Sequence, residues 1–486
     1  MYTDPAYGFA VWDSMLRGAP FNTITMPDLA DIARDRNEFL AYWSPAQYLF
    51  AGPLEWAGLG LGAATNVVTT VFTALGLVGW YRFYRSWNFP VASAAVALAI
   101  TAGNRYFALP FGIYSGGEIL QFGAMPWFLL LLGRWSALQR SEAVLVLAAI
   151  VGIAFFKLSG GLFALCALAA VVVWDLLPIT RISWRRPLTA LGIAIAFGAA
   201  LYFGWISRGE TAIQARGAAN WGALVPSFIE GWAASVMGMF SLGDLVARLV
   251  QQPGRQLLHS LDAIYLVAAV PALLLLGWSA RRLRDTHADY LRFAGAVAFF
   301  YIAALAVIYG KGGQIIMEDR YYRPLALILL VGIVQAVVTS RPTIRLPLGA
   351  LAAAMMVYGI SSYVVRLQHN RHVPIGARAF HQGTLTHDGL ALMKRELAGA
   401  DRNTVAWVMM PEIALEARPA RVVVNAGVEG LLGIRKYKGR AGRVLVFVDN
   451  NMVQDGRIQI VLKSFVDYDP SKWVATTLGD STVFTQ

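Results

Sequence analysis

The sequence predicts a polytopic α-helical membrane protein, with about ten transmembrane helices and a soluble α/β domain of roughly 120 residues at its C-terminal end. Of its 486 residues, 57% are hydrophobic and only 14% are charged, which ordinary water-soluble domains of this length do not show. Apolar runs long enough to cross about 30 Å of hydrocarbon also recur up to about residue 366. The solvent for most of this surface is therefore lipid.

The apolar runs define the expected spans. They lie near 60–80, 90–107, 118–133, 143–156, 159–177, 187–206, 258–278, 291–309, 324–339 and 347–366. The stretch 143–177 can form one long kinked helix, or two short helices that break at Lys157-Leu158-Ser159-Gly160-Gly161. We predict two, because a single helix would place two arginine-rich loops on opposite sides of the membrane.

Arginines concentrate in alternate loops between these runs, and these loops are predicted to be cytoplasmic. They hold Arg82, Arg85, Arg134, Arg140, Arg181, Arg185, Arg186, Arg281, Arg282, Arg284, Arg292, Arg341 and Arg345. The opposite side then receives 1–58, 108–117, 207–257, 310–323 and everything after about 367. Tryptophans are expected at the lipid–water interfaces, namely Trp56, Trp80, Trp135, Trp174, Trp205 and Trp278. This topology explains the net charge of +12 without a nucleic-acid partner.

The predicted organisation has three parts: an outer-face loop over 1–58, a transmembrane domain over 59–366 and a soluble extracytoplasmic domain over 367–486. The loop contains amphipathic stretches around 5–17 and 28–42, which are expected to lie in the membrane plane.

The soluble domain shows a mixed pattern of helix and strand. Thr386 is expected to cap a helix that runs to about Gly399. Buried strands are predicted at Val405–Met409, Val422–Asn425 and Val444–Val448, and a hairpin turn at Gly479-Asp480 is expected to join Trp473–Leu478 to Ser481–Thr485.

Charged residues at the membrane boundary that topology does not require are candidates for function, because charge near hydrocarbon is costly. Glu118 follows the outward turn Tyr114-Ser115-Gly116-Gly117 and opens a helix. Either its carboxylate is simply stabilised by the positive end of the helix dipole, or it is a second active-site acid or a metal ligand.

A second candidate group is cationic. Lys311 precedes two glycines, and Arg320 and Arg323 follow Glu318 and Asp319 at the start of the next apolar run. Guanidinium and ammonium groups in this position suit a phosphate or diphosphate. The alternative is that Arg320 pairs with Glu318 or Asp319 while Arg323 extends to lipid headgroups. Lys157 and Arg105 also fall at the outer boundary, where extension of the side chain to lipid headgroups is again the alternative.

Histidines and the cysteine give weak signals for a metal. His369, His372, His381 and His387 cluster after the last apolar run without accompanying cysteines, so we expect a solvated linker and no metal site. Cys166 stands alone in an apolar run, which excludes a disulfide framework within the chain. The sequence has no P-loop, GxSxG, HExxH or post-strand GxGxxG motif, so it does not support nucleotide hydrolysis, serine esterase or zinc protease activity.

Two segments carry a resemblance to a known family. The outward N-terminal residues and the late Arg320-Tyr321-Tyr322-Arg323-Pro324 element resemble the first outer loop and a late helix entry of GT-C glycosyltransferases, in the protein mannosyltransferase and aminoarabinose transferase branch. The matching residues of the first segment are Asp4, Trp12, Gly18, Pro20, Phe21, Trp43, Ser44, Pro45, Gln47 and Tyr48.

This resemblance implies an inverting enzyme of the cytoplasmic membrane. It would pass a sugar from a polyprenyl-phosphate or diphosphate donor to a glycan, lipid or protein acceptor on the outer face. Asp4 would be the general base, with Glu118 orienting the acceptor or a metal. The donor phosphate would be neutralised by Arg320, Arg323, Lys311 and Lys157. The expected acceptor-binding or supporting residues are Asp13, Glu318, Asp319, Trp43 and Tyr48. A divalent cation stays open as a cofactor.

The start of the chain departs from the family pattern, because only three residues precede Asp4 where the family has a membrane helix. We therefore expect translation to begin upstream. Two other functions remain open: a transporter or flippase of a lipid-linked sugar, favoured by the broken segment at Lys157, and a polysaccharide polymerase or ligase, which would use the arginines but not Asp4.

Overall fold

The computed structural model describes residues 1, 3–41, 43–135, 140–176, 184–209, 219–243, 245–246, 261–312, 319–417, 420–424 and 435–486. Within these ranges the chain divides into two compact units. The mixed unit comprises Met1–Val68, Ile113–Gly116 and Arg366–Gln486, and the helical unit comprises Thr69–Gly112 and Gly117–Val365.

Each of the ten predicted apolar runs forms a helix, which confirms the predicted fold class. The helices are Leu61–Ser86, Val91–Gly103, Gly117–Arg134, Arg140–Phe156, Leu158–Leu176, Arg185–Gly204, Leu261–Leu283, Ala288–Gly310, Asp319–Val338 and Pro342–His372. The break at Lys157 is also confirmed, since this residue alone separates two helices.

Among the described residues, seven helices are long and apolar enough to cross a membrane, and three shorter ones are apolar. Large apolar side chains remain exposed on these helices, including Leu191 (57%), Val267 (70%) and Val357 (63%). Such surface is unfavourable in water and is expected where helices face lipid. The chain is therefore a multi-pass membrane protein.

The prediction of an outward loop over 207–257 is wrong where the structure describes it. Leu224–Phe240 is a helix that packs against Leu261–Leu283 and Asp319–Val338, and the segment Trp221–Phe240 is apolar enough to span. Pro226 and Glu230 interrupt the apolar run, and its mean hydropathy of 1.3 is the lowest among the seven candidate spans of the described residues. The helix is instead stabilised by packing, as the burial of Glu230 (5% exposed) shows.

Two of the tryptophans predicted at lipid–water interfaces are buried within the protein. Trp80 is completely buried and Trp135 is 2% exposed, whereas Trp56 is 76% exposed. Trp80 packs against the aromatic rings of Phe83 and Tyr84. The side chain of Trp174 lies outside the described residues.

A five-stranded sheet forms the core of the C-terminal part of the mixed unit, as predicted for an α/β domain. Its strands are β3 (Thr404–Val408), β4 (Arg421–Val424), β5 (Arg443–Asp449), β6 (Val474–Leu478) and β7 (Ser481–Thr485). They lie in the order β4-β3-β5-β7-β6, and β3 is parallel to both β4 and β5. The antiparallel hairpin of β6 and β7 continues the sheet beyond β5. Short helices flank it at His387–Glu396, Pro411–Ala414, Asn450–Gln454 and Ile458–Leu462.

Local sequence signals explain the ends of these elements. The Thr386 hydroxyl accepts a hydrogen bond from the Gly389 amide at 3.1 Å, so it caps the His387–Glu396 helix as predicted. Gly479 has φ +58° in the turn between β6 and β7, a conformation that favours glycine. His369 and His372 are exposed, but they lie in the last turn of the Pro342–His372 helix and not in a linker as predicted.

The N-terminal segment forms one helix and one hairpin. The stretch around 5–17 is helical from Thr3 to Leu16, but 28–42 is not a membrane-plane helix as predicted. Instead β2 (Asp35–Phe39) pairs antiparallel with β1 (Thr23–Pro27). Ile32, between the two strands, is completely buried in the core shared with β3 and β5, so this segment and the C-terminal domain share one core. The short helices Ala46–Leu49 and Ala51–Trp56 follow.

Candidate functional site

Glu118 and Lys157 form a close ion pair in the helical unit. Lys157 Nζ lies 2.7 Å from Glu118 Oε1, and the two side chains are only 16% and 19% exposed. Glu118 is in the first turn of the Gly117–Arg134 helix, and Lys157 occupies the break between the two following helices. Topology does not require a lysine at such a break. Because charged groups near hydrocarbon are costly, this pair is a candidate for a functional role.

Arg320 and Arg323 lie in the first turns of the Asp319–Val338 helix, three residues apart and hence on the same face. The intervening Tyr322 is completely buried. The Tyr301 hydroxyl donates to the Tyr321 carbonyl at 2.8 Å, which fixes the start of this helix. The two guanidiniums are thus presented by a rigid segment.

Aromatic rings hold these cations. The Arg323 guanidinium lies 3.3 Å from the centre of the Tyr106 ring, and that of Arg320 lies 5.0 Å from the ring of Tyr321. Lys157 Nζ is 5.6 Å from the Tyr321 ring. A guanidinium stacked on a ring keeps its N–H edges available for an anion.

Tyr106 is itself positioned by a buried cap. It belongs to the short helix Arg105–Ala108, whose N-cap residue Asn104 accepts a hydrogen bond from the Tyr106 amide at 2.9 Å. Asn104 Nδ2 also donates to the Met239 carbonyl at 2.8 Å. The ring beneath Arg323 is therefore held by the otherwise unpredicted helix Leu224–Phe240.

A cleft opens among these residues, lined by Glu118, Gln121, Arg320, Arg323, Tyr106 and Trp80 together with apolar side chains. Gln121 Nε2 and Trp80 Nε1 are buried donors without a hydrogen-bond partner among the described residues. Gly160 leaves room for the Gln121 amide, since a Cβ there would lie 3.0 Å from Nε2. Buried donors are usually satisfied, so two in one cleft suggest hydrogen bonding to a bound polar molecule.

The charge of the cluster favours an anion. Both arginines act electrostatically on Glu118 along with Lys157. Among the described side chains of the cluster, three cations surround one carboxylate, in surroundings where water screens their charges poorly. The arrangement suits a phosphate group.

We expect the Glu118–Lys157 pair to be energetically coupled. In a double-mutant cycle of Glu118→Gln, Lys157→Met and both together, the double variant should be more stable than the sum of the single effects predicts, with a coupling of about 0.5–3 kcal/mol. Each single change leaves the remaining group buried without its partner. Thermal unfolding of the purified protein in detergent measures it, and strictly additive changes would contradict the pairing.

The predicted phosphate-binding Lys311 and the predicted supporting residues Glu318 and Asp319 are not among the residues that line the cleft in the described structure. Lys311 is exposed and directly follows the Ala288–Gly310 helix, where its positive charge interacts favourably with the negative end of the helix dipole. Glu318 and the side chain of Asp319 lie outside the described residues. Among described residues, no group of three His, Cys, Asp or Glu side chains is arranged to hold a metal ion.

Asp4 lies in the mixed unit, in the first turn of the Thr3–Leu16 helix. Its carbonyl accepts a hydrogen bond from Gln47 Nε2 at 3.3 Å. One turn further along the helix, Tyr7 stacks on Trp43 with ring centres 4.5 Å apart. The predicted Trp-Ser-Pro-x-Gln-Tyr segment therefore packs against the helix that carries the predicted base.

The remaining predicted support residues make internal contacts. Tyr48 is 1% exposed, and its hydroxyl donates to Asn22 Oδ1 at 3.0 Å. Asp13 is buried, and its Oδ2 lies 3.3 Å from Arg378 Nη1. The Nε of the same arginine donates to Glu55 Oε1 at 2.6 Å. These contacts hold the N-terminal segment in place. A role in acceptor binding stays a prediction for both residues.

Sequence reasoning missed Tyr106, Gln121 and Trp80 as cleft residues. Gln121 could have been found, because it lies three residues after Glu118 on one helix and therefore shares its face. Tyr106 and Trp80 approach the cleft from other helices, and no local pattern marks them.

Comparisons with known proteins found no matching family model and no match among curated proteins. Two solved structures of ArnT from Cupriavidus metallidurans are similar. The structure bound to undecaprenyl phosphate has a TM-score of 0.54 at 11% identity, and the apo structure 0.55 at 12%; each match covers 99% of this chain and 93% of ArnT. Over nearly its whole length, the chain therefore has the same fold as ArnT.

Proposed function

We propose that the protein is an inverting membrane glycosyltransferase that moves a sugar from a polyprenyl-phosphate or diphosphate donor to an acceptor in the cell envelope. The observation that carries this proposal is the cluster of Lys157, Arg320 and Arg323 around Glu118 in a cleft of the membrane helices. A similar fold binds undecaprenyl phosphate in ArnT, which supports the same class of lipid here.

The cluster would bind the phosphate of the donor. When the bond between the anomeric carbon and the phosphate oxygen breaks, the departing phosphate keeps the electron pair, and fixed cations stabilise that charge. Because the Glu118 carboxylate already binds Lys157, we propose that it holds the ammonium in position. Gln121 and Trp80 would donate to hydroxyl groups of the sugar or to phosphate oxygens.

Asp4 would supply the base. Its carboxylate would take the proton of the acceptor hydroxyl as the acceptor oxygen attacks the anomeric carbon from the face opposite the phosphate, which inverts that carbon. We propose the cytoplasmic membrane as the location and an extracytoplasmic C-terminal domain, because Arg341 and Arg345 lie at the start of the Pro342–His372 helix and the domain follows its other end.

Replacing Arg323 tests donor binding. In Arg323→Ala, the dissociation constant for undecaprenyl phosphate should rise roughly 10- to 150-fold, because a charge-assisted contact of about 1.5–3 kcal/mol is lost. Native mass spectrometry in detergent with undecaprenyl phosphate as the probe measures this constant, and the same factor should appear in the apparent KM of a sugar-loaded donor.

The matched control is Arg345→Ala, since Arg345 is exposed on the Pro342–His372 helix. It should leave the affinity unchanged. Equal affinity of Arg323→Ala and the unmodified protein would refute the proposed phosphate site.

A further inference from the structure

A carboxyl group of the C-terminal domain contacts the helix that carries Asp4. Thr3 Oγ1 donates to Glu412 Oε1 at 3.0 Å, a hydrogen bond that joins the start of the chain to the short helix Pro411–Ala414. Glu412 is only 5% exposed. Because Asp4 is the next residue after Thr3, this bond fixes the backbone from which the proposed base projects.

Hydrogen bonds from Gln382 and Ala377 fix the short segment that carries Glu412 and Glu416. Gln382 Nε2 donates both to the Glu412 carbonyl at 2.7 Å and to Glu416 Oε1 at 3.1 Å. The Ala377 amide donates to Glu416 Oε2 at 2.7 Å. Gly376 accommodates this carboxylate, since a Cβ there would lie 1.8 Å from Oε1. Glu412 therefore has little freedom to move away from Thr3.

The second oxygen of Glu412 is not used by the fold. Glu412 Oε2 is buried and has no hydrogen-bond partner among the described residues. Burial raises the pKa of this carboxyl, and the Asp4 carboxylate raises it further, while the hydrogen bond from Thr3 and the Met1 amino group oppose the rise. The neutral acid is thus favoured more than at an exposed glutamate, and an amide is a reasonable mimic of it.

Asp4 is consequently held from two directions. Gln47 donates to its carbonyl at 3.3 Å, and the Glu412–Thr3 hydrogen bond restrains the preceding residue. A general base must keep its carboxylate within hydrogen-bond reach of the proton that it removes. A displacement of about 1 Å can cost on the order of 100-fold in rate.

We propose that Glu412 is a positioning residue that, through Thr3, holds Asp4 in the geometry for proton abstraction. This inference rests on the proposed function of Asp4. It assigns to the C-terminal domain a part in catalysis, in addition to any role in acceptor binding.

The test compares conservative and disruptive changes at both ends of the bond. Glu412→Ala and Thr3→Val each remove it and should lower kcat about ten- to hundredfold, while the KM of the lipid-linked donor and the affinity for undecaprenyl phosphate stay unchanged. Glu412→Gln and Thr3→Ser keep an acceptor and a hydroxyl, and should retain kcat within about threefold of the unmodified protein.

Thermal unfolding of each variant, with kcat expressed per folded protein, separates positioning from stability. A lower melting temperature with an unchanged kcat for Glu412→Ala and Thr3→Val would overturn the proposal, as would equal losses in the conservative variants. If Asp4→Asn also keeps full activity, the proposed function itself fails. If only Asp4→Asn is inactive, the base stands and the role of Glu412 fails.

Discussion

Asp4→Asn should lower the rate of sugar transfer by about 10²- to 10⁴-fold, the usual contribution of a general base. The amide has nearly the same shape but cannot take the proton of the acceptor hydroxyl. Binding of undecaprenyl phosphate should be unaffected, because the proposed phosphate contacts come from Lys157, Arg320 and Arg323. The measurement follows radiolabelled sugar from the lipid-linked pool of purified membranes into acceptor, alongside the amount of inserted protein.

The control for this experiment is Asp455→Asn, which alters an exposed carboxylate that pairs with Arg457, two positions along the chain. It should transfer sugar normally. The comparison also separates the alternative functions. A transporter, flippase, polymerase or ligase would need the cationic cleft but not the Asp4 carboxylate, so full activity of Asp4→Asn would remove the glycosyltransferase proposal.

Arg378→Ala should destabilise the protein by about 3–5 kcal/mol, because it leaves two carboxylates without their shared cation in a poorly hydrated site. Arg378 is 7% exposed, and its partners Asp13 and Glu55 are 6% and 19% exposed. The arginine also lies 5.4 Å from the centre of the Phe9 ring. For a unit of this size, the midpoint of thermal unfolding in detergent should fall on the order of 10 °C.

Two further variants check the cause. Adding Glu55→Gln to Arg378→Ala removes one of the stranded charges and should recover part of the lost stability. Arg395→Ala breaks the surface ion pair with Glu396, where the arginine is 56% exposed, and should cost less than about 1 kcal/mol. A drop for Arg378→Ala no larger than this control would show that the buried ion pairs add little.

The membrane architecture could largely be predicted from hydropathy, because lipid requires long apolar helices whose backbone bonds are satisfied internally. The two helices that meet at Lys157 and the cap at Thr386 were predicted correctly, since both depend on local signals. Leu224–Phe240 was missed because its polar residues are buried by packing against other helices.

The candidate site was predictable only in part, and for a physical reason. Glu118, Lys157, Arg320 and Arg323 were visible as charges without a topological role, but sequence could not show that Lys157 binds Glu118. Lys311 was grouped with the arginines because it is near them in sequence, yet it lies at the end of another helix. The hydrogen bond between Thr3 and Glu412 spans 409 positions, and no periodicity predicts such a contact.

The cleft draws its charged groups one or two at a time from segments that are far apart in the chain: a helix start at Glu118, a single-residue break at Lys157 and a second helix start at Arg320. The proposed anion site, assembled in this way, would impose requirements on only a few isolated positions. The lipid-facing residues between them need only stay apolar. Most other positions are free to vary, and the match to ArnT shows that the same fold can be formed at 11% identity across 99% of this chain.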